Sequence, residues 1–225
     1  MSFIKINNKI SNYNEILSIE GDKSLSIRWA LLASQSHYKS KSQNLLLSED
    51  VMNTLDCLKK LGVGINLKRN WCQIHGVGLN GFKYKKDLQL NAGNSGTLAR
   101  LILGLLVHSN NNIKLKGDRS LSKRDFLRII KPLKSFGADF KSNFGKLPIT
   151  IKGTENPLPI IYNEKRGSAQ CKSSVMLAAL NTDGETIIKA KKSRDHSELL
   201  FKYLKLPIKI NRKKNYDIIK IKGKK

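Results

Sequence analysis

Apolar residues recur along the chain in three nearly unbroken blocks, Trp29–Ala33, Leu98–Val107 and Val175–Leu180. Blocks this uniformly apolar read as helices buried on all sides. Each follows a stretch bearing glycine and serine: Gly21-Asp22-Lys23-Ser24-Leu25-Ser26-Ile27-Arg28, Gly93-Asn94-Ser95-Gly96-Thr97, and Gly167-Ser168-Ala169-Gln170-Cys171-Lys172. Ser24, Ser95 and Ser168 are spaced by 71 and 73 residues. A short strand-like run comes after each block, at Asn44–Leu47, Asn112–Lys116 and Thr186–Ala190. An amphipathic helix with its own start signal comes next. In the first copy Val51, Leu55, Leu58 and Leu61 share a face after Ser48, and Gly62 stops the helix. In the second, Ser122 and Asp125 read as a capping box before Phe126, Ile129, Ile130, Leu133 and Phe136, with Gly137 at the stop. In the third, Asp195 and Glu198 take that role before Leu199, Leu200, Tyr203 and Leu204, with Pro207 beyond. Each copy closes on two alternating runs, the pattern of a hairpin: Val63–Leu67 with Cys72–Gly76, Ala138–Lys141 with Ile149–Gly153, and Ile208–Asn211 with Ile218–Gly223.

The unit is therefore buried helix, strand, amphipathic helix, hairpin, repeated three times. One such unit cannot cover both of its faces. Three of them around a pseudo-threefold axis pack their buried helices inside and leave sheets and amphipathic helices outside. Parallel inner helices bring three N-termini together, and their free N–H groups, serine hydroxyls and Lys23 then make an anion site. The plainer alternative is that serine and glycine are simply common N-caps; alignment of three copies favours the site.

Composition narrows the classes. The chain has 225 residues, 40% hydrophobic and 26% charged, in the range of a folded globule. No apolar run approaches the ~20 residues of a membrane span, and Met1-Ser2-Phe3-Ile4-Lys5 shows no secretory signal. A membrane partner is not expected, and the location expected is cytoplasmic. Cys57, Cys72 and Cys171 form no close pair and the four histidines are scattered, so neither a disulfide framework nor a metal site is expected. The formal net charge of +25 suits anionic partners. No RNP-type strand, zinc finger or basic zipper accompanies it, so a solvated lysine surface is favoured over a nucleic-acid face.

Five motifs, in order along the chain, resemble the 5-enolpyruvylshikimate-3-phosphate synthase family. They are Gly21-Asp22-Lys23-Ser24-Leu25-Ser26-Ile27-Arg28; Asn94-Ser95-Gly96-Thr97-Leu98-Ala99-Arg100; Gly117-Asp118-Arg119-Ser120-Leu121-Ser122-Lys123-Arg124; Ser168-Ala169-Gln170-Cys171-Lys172-Ser173; and Ser193-Arg194-Asp195-His196. The related UDP-N-acetylglucosamine enolpyruvyl transferases share the architecture but not this motif set. The resemblance implies an α/β fold of two globes, each of three βαβαββ-type units, with the active site in the cleft between them. It implies transfer of the enolpyruvyl group of phosphoenolpyruvate to the 5-hydroxyl of shikimate 3-phosphate, with release of phosphate and no metal or organic cofactor. Carried over by position, Lys23 touches both substrates and is the catalytic candidate; Ser24 and Arg28 hold shikimate 3-phosphate. Ser168, Ala169 and Gln170 cradle its phosphate and ring, and Ser193 or Arg194 completes that pocket. Gly96, Arg124 and Gln170, with Lys23, line the phosphoenolpyruvate site, while Arg100 is left as structural.

For some of these residues a plainer role stays open: Arg28 as a surface base on an amphipathic turn, Ser193 as a helix start, the Arg124 segment as capping. Ile27 and Trp29 depart from the family's usual residues, and Cys171 stands in place of an aliphatic. By the same resemblance, residues 1–13, with a strand at Phe3-Ile4-Lys5-Ile6, belong to the second globe. Residues 14–225 form one globe, in repeats of about 14–90, 91–165 and 166–225. The family's catalytic Asp and Glu lie in the second globe and cannot be placed here. Among the local acids, Asp22 and Asp118 sit in turns, Asp125, Asp195 and Glu198 start helices, and Glu164 has no motif. The expectation is a monomer at full length, a chain inactive without the second globe, and small anionic substrates as partners. The competing class is a stand-alone anion- or nucleic-acid-binding module.

Overall fold

The computed structural model describes residues 19–69 and 71–223, with residues 5, 7, 12, 14, 16 and 17. Of the expected first strand, Phe3, Ile4 and Ile6 lie outside the described residues. The first unit runs α1 (Lys23–Ala33), β1 (Lys39–Gln43), α2 (Glu49–Lys60), β2 (Gly64–Lys68) and β3 (Trp71–His75). The second runs β4 (Leu88–Asn91), α3 (Gly96–Leu105), a 3₁₀ turn at Leu106–His108, β5 (Ile113–Lys116), α4 (Arg119–Ser122), α5 (Leu127–Ser135), β6 (Asp139–Asn143) and β7 (Lys146–Lys152). The third runs β8 (Ile161–Glu164), α6 (Ala169–Leu180), β9 (Glu185–Lys191), α7 (His196–Tyr203), β10 (Ile208–Arg212) and β11 (Tyr216–Lys222).

The repeat is real, and it carries a strand that periodicity does not reveal. β4 and β8 precede the buried helices of units two and three. They pair in parallel with β5 and β9, Leu88 opposite Ile113 and Ile161 opposite Ile187. With four residues each, one face toward solvent, they have too few positions to show alternation. The sheets share one order: β4-β5-β7-β6, β8-β9-β11-β10 and, among the described residues, β1-β3-β2. Two units are therefore βαβαββ and the first shows αβαββ.

α1, α3 and α6 form the interior, burying Ile27, Leu31, Leu98, Ile102, Val175 and Met176. Gly104 lets two of them approach, since a Cβ there would stand 2.2 Å from the carbonyl oxygen of Ser174. The outer helices tie the units together: α2 packs mainly on α1 and also touches α3, α5 packs on α6 and α3, and α7 packs on α1. Burying those faces is the main stabilising term.

Several local expectations are corrected. The first connecting strand is Lys39–Gln43 and not Asn44–Leu47. Among the described residues its backbone pairs with β3 alone, Lys39 opposite His75, and its half-buried positions are Ser40 and Ser42. Asn44 leaves it at φ 55°, and Leu45 packs onto the core from a loop. The Ser122–Asp125 capping box does not form. Asp118 caps a separate one-turn helix by accepting from Leu121 N–H at 2.6 Å, Ser122 ends that helix, and Asp125 accepts from Leu127 N–H at 2.7 Å. The third helix is also turned. Its buried face is Ser197, Glu198 and Phe201, while Leu199 is 53% and Tyr203 82% exposed. Asp195 occupies the N-cap position without a capping bond; its carboxylate accepts from Arg212 at 2.7 Å.

Candidate anion site

The N-termini of α1, α3 and α6 meet at one opening. A cavity of about 340 Å³ there is lined by Ser24 and Arg28 from α1, Thr97 from α3, Gly167, Ser168, Ala169 and Gln170 at the head of α6, and Ser193, Arg194 and His196 before and on α7. Two larger cavities lie toward the opposite, carbonyl-bearing ends of these helices, one polar around Gln35, His108 and Asn181, one apolar around Trp29, Leu180 and Leu206, and another lies around Leu46, Arg69 and Trp71. The smaller cavity is the one at the helix N-termini, the ends that favour an anion.

Each inner helix is capped, two of them by the aligned serines and the first by Asp22 in place of Ser24. Asp22 accepts from Leu25 N–H (2.7 Å), Ser95 from Leu98 N–H (3.3 Å) and Ser168 from Cys171 N–H (3.2 Å). The structural equivalents are thus Asp22, Ser95 and Ser168, and Ser24 stands inside the first turn of α1. Ser168 still has its hydroxyl proton to donate, and Ala169, the first residue of α6, adds one of the helix's free N–H groups. Gln170 donates from Nε2 to Thr97 Oγ1 at 3.0 Å, joining the second and third units across the cavity wall.

Arg28 is 5% exposed, so it is no surface base. Its Nε donates to Ser197 Oγ (2.8 Å), Nη2 to Ser173 Oγ (3.3 Å) and Nη1 to the Ser24 carbonyl (3.1 Å), and the two serine hydroxyls are 2.6 Å apart. Burial pushes the guanidinium below its ordinary pKa, and the nearby Glu198 carboxylate opposes that shift. Arginine nonetheless stays charged. Ser193 Oγ is buried with no hydrogen-bond partner among the described residues, whereas Arg194 is exposed.

Beside this cavity, Gly96 is flanked by two guanidinium groups. A Cβ there would stand 2.7 Å from Arg100 Nη1 and 2.9 Å from Arg124 Nη1. Arg100 donates to the Gly96 carbonyl (3.1 Å) and lies over the Phe126 ring, consistent with a structural part. Burial lowers its pKa first, with Arg124 and Arg128 adding to the effect. Lys23 is not among the cavity-lining residues; its ammonium pairs with Asp50 of α2 at 2.8 Å. Glu164, the acid without a motif, is a buried acceptor for Ser168 N–H (2.8 Å) and Arg166 N–H (3.2 Å) with Arg128 3.6 Å away, so it shapes the turn into α6. Thr97, Ser173 and Ser197 belong to the site without being legible as site residues in the sequence. Thr97 and Ser173 stand inside two of the motifs, the one signal that points toward them. Among the described residues no cluster of His, Cys, Asp or Glu could hold a metal ion, and no helix is long and apolar enough to cross a membrane.

Known proteins resemble the chain over nearly its whole length. The family model for EPSP synthase (3-phosphoshikimate 1-carboxyvinyltransferase) matches residues 7–225. The 3-phosphoshikimate 1-carboxyvinyltransferase of Vesicomyosocius okutanii is 43% identical over 215 residues, covering 95% of this chain and 49% of the relative. That of Ruthia magnifica is 43% identical over 199 residues, covering 88% and 46%. The solved EPSP synthase of Acinetobacter baumannii superposes with a TM-score of 0.84 at 33% identity, covering 93% of this chain and 47% of that one. The chain thus spans about half the length of the relatives it matches. With the repeat, the shared opening at three helix N-termini and this match from residue 7 onward, the chain belongs to the EPSP synthase family.

Proposed function

We propose that this chain forms the shikimate 3-phosphate-binding half of an enzyme that transfers the enolpyruvyl group of phosphoenolpyruvate to the 5-hydroxyl of that substrate. The observation that carries the proposal is the set of three helix N-termini around one cavity with a buried arginine in its wall. The phosphate of shikimate 3-phosphate lies at the head of α6, taking the hydroxyl of Ser168, the N–H of Ala169 and the amide of Gln170. Arg28 and Ser24 meet the ring and carboxylate. Between Ser193 and Arg194, Ser193 is the ligand, because its buried hydroxyl otherwise goes unsatisfied. Phosphoenolpyruvate lies toward Gly96 and Arg124, where the missing Cβ leaves room between two guanidinium groups. Lys23 joins it by exchanging Asp50 for a substrate oxygen, a move open to an ammonium that is half exposed in its ion pair.

Calorimetric titration of the chain with shikimate 3-phosphate tests this. Binding is expected, and Ser168→Ala weakens it roughly tenfold to a hundredfold, the loss of a hydrogen bond to a charged group at about 1.5–3 kcal/mol. A generic oligonucleotide in parallel separates the competing class, since its binding collapses as salt rises. Tight oligonucleotide binding with no shikimate 3-phosphate binding overturns the proposal.

A further inference from the structure

The third outer helix buries polar residues beside its apolar ones. Phe201 is buried and Leu200 packs on the core, but Leu199 and Tyr203 stand largely in solvent while Ser197 and Glu198 are buried. The partner of Glu198 is Lys172, on the first turns of α6, and each of the two side chains is only 1% exposed. Apart from each other, Lys172 Nζ and both Glu198 carboxylate oxygens have no hydrogen-bond partner among the described residues. Such a pair adds little stability, because desolvating two ions offsets most of their attraction. A sequence that buries it in place of available leucines contradicts its own hydrophobic pattern, and such conflicts concentrate at functional sites.

Its position says what it does. Lys172 lies one turn beyond Ser168 and two residues beyond Gln170; Glu198 lies one turn beyond Arg194. Next to the pair, Ser173 and Ser197 touch each other and both accept from Arg28. The pair and the serines therefore clamp α6, α7 and α1 in one register behind the cavity. Apolar contacts tolerate sliding, whereas an ion pair and a hydrogen-bonded fork hold a defined geometry.

We propose that Lys172 and Glu198 are positioning residues: without touching the ligand, they set the Ser193–Arg194 segment and Arg28 against the phosphate-binding head of α6. The inference rests on the shikimate 3-phosphate reading above. It is tested by measuring thermal midpoint and shikimate 3-phosphate affinity together in Lys172→Met/Glu198→Met. Replacing both ions by apolar side chains of similar size is expected to leave the midpoint at or above that of the unaltered chain, while affinity falls at least tenfold. A merely structural pair gives the opposite pattern, and affinity within twofold of the unaltered chain overturns the proposal. If the double variant does not fold, Glu198→Asp decides: it keeps the charge and withdraws it by one methylene. An affinity loss of fivefold or more supports positioning, and a smaller loss overturns it. Absence of binding by the unaltered chain fails the functional reading itself and removes this inference with it.

Discussion

Single side chains show where motif and contact part company. Ser168 and Gln170 stand in a motif and line the cavity, so both are legible in the sequence. Thr97 also stands in a motif, but its role does not show there, because its partner Gln170 lies 73 residues away in another unit. Its hydroxyl is the acceptor that aims the Gln170 amide. Thr97→Val removes a hydrogen bond worth about 1 kcal/mol, so shikimate 3-phosphate affinity should fall roughly fivefold. Thr97→Ser, which keeps the hydroxyl, should restore it; calorimetry on the two variants checks this, and equal affinities would show that Gln170 needs no such support. Arg28 illustrates the same limit: its burial depends on Ser173 and Ser197, 145 and 169 residues away.

At the scale of elements, the buried helices are readable because apolarity on all sides has one low-energy solution, burial. The start of α4 is not, because two caps compete within a few residues, Asp118 and Ser122, and only the first accepts from a helix N–H. Accepting from Leu121 N–H, and then from the Asn94 amide, holds the Asp118 carboxyl below its ordinary value. A depressed carboxylate contributes stability that is fully present above the unfolded-state value, about 3.9, and is lost as pH falls through the folded-state one. Asp118→Ala should therefore lower the thermal midpoint at pH 6–7, and the gap to the unaltered chain should close as pH drops below about 4. A gap independent of pH would mean the ionised cap adds nothing. The face of α7 escapes the sequence for a deeper reason: its apolar residues mark a stripe, but what α7 packs on is α1 with its arginine.

The whole molecule gathers three helix N-termini at one end, and an anion site follows from that geometry. Catalysis asks for more. Enolpyruvyl transfer needs a proton delivered to the methylene of phosphoenolpyruvate, one removed from the acceptor hydroxyl, and later return of the methylene proton. Five acids near the opening are already engaged: Asp22 caps α1, Asp50 pairs with Lys23, Glu164 shapes the turn, Asp195 holds Arg212 and Glu198 pairs with Lys172. The 225-residue chain with both substrates should release no phosphate above background. Activity should return when a polypeptide carrying the remaining half of the family fold is added. Robust turnover by the chain alone, lost in Lys23→Ala, would place a base among these acids. Sequence alone determined the threefold repeat, the three buried helices and the motif residues at their heads, because apolar periodicity and local caps act within a few turns of chain. Tertiary structure alone decided the parallel strands β4 and β8, the burial of Arg28 and the burial of Ser197 and Glu198 on α7. Those depend on which surface each element meets, and the decisive partners lie too far along the chain for any local pattern to record.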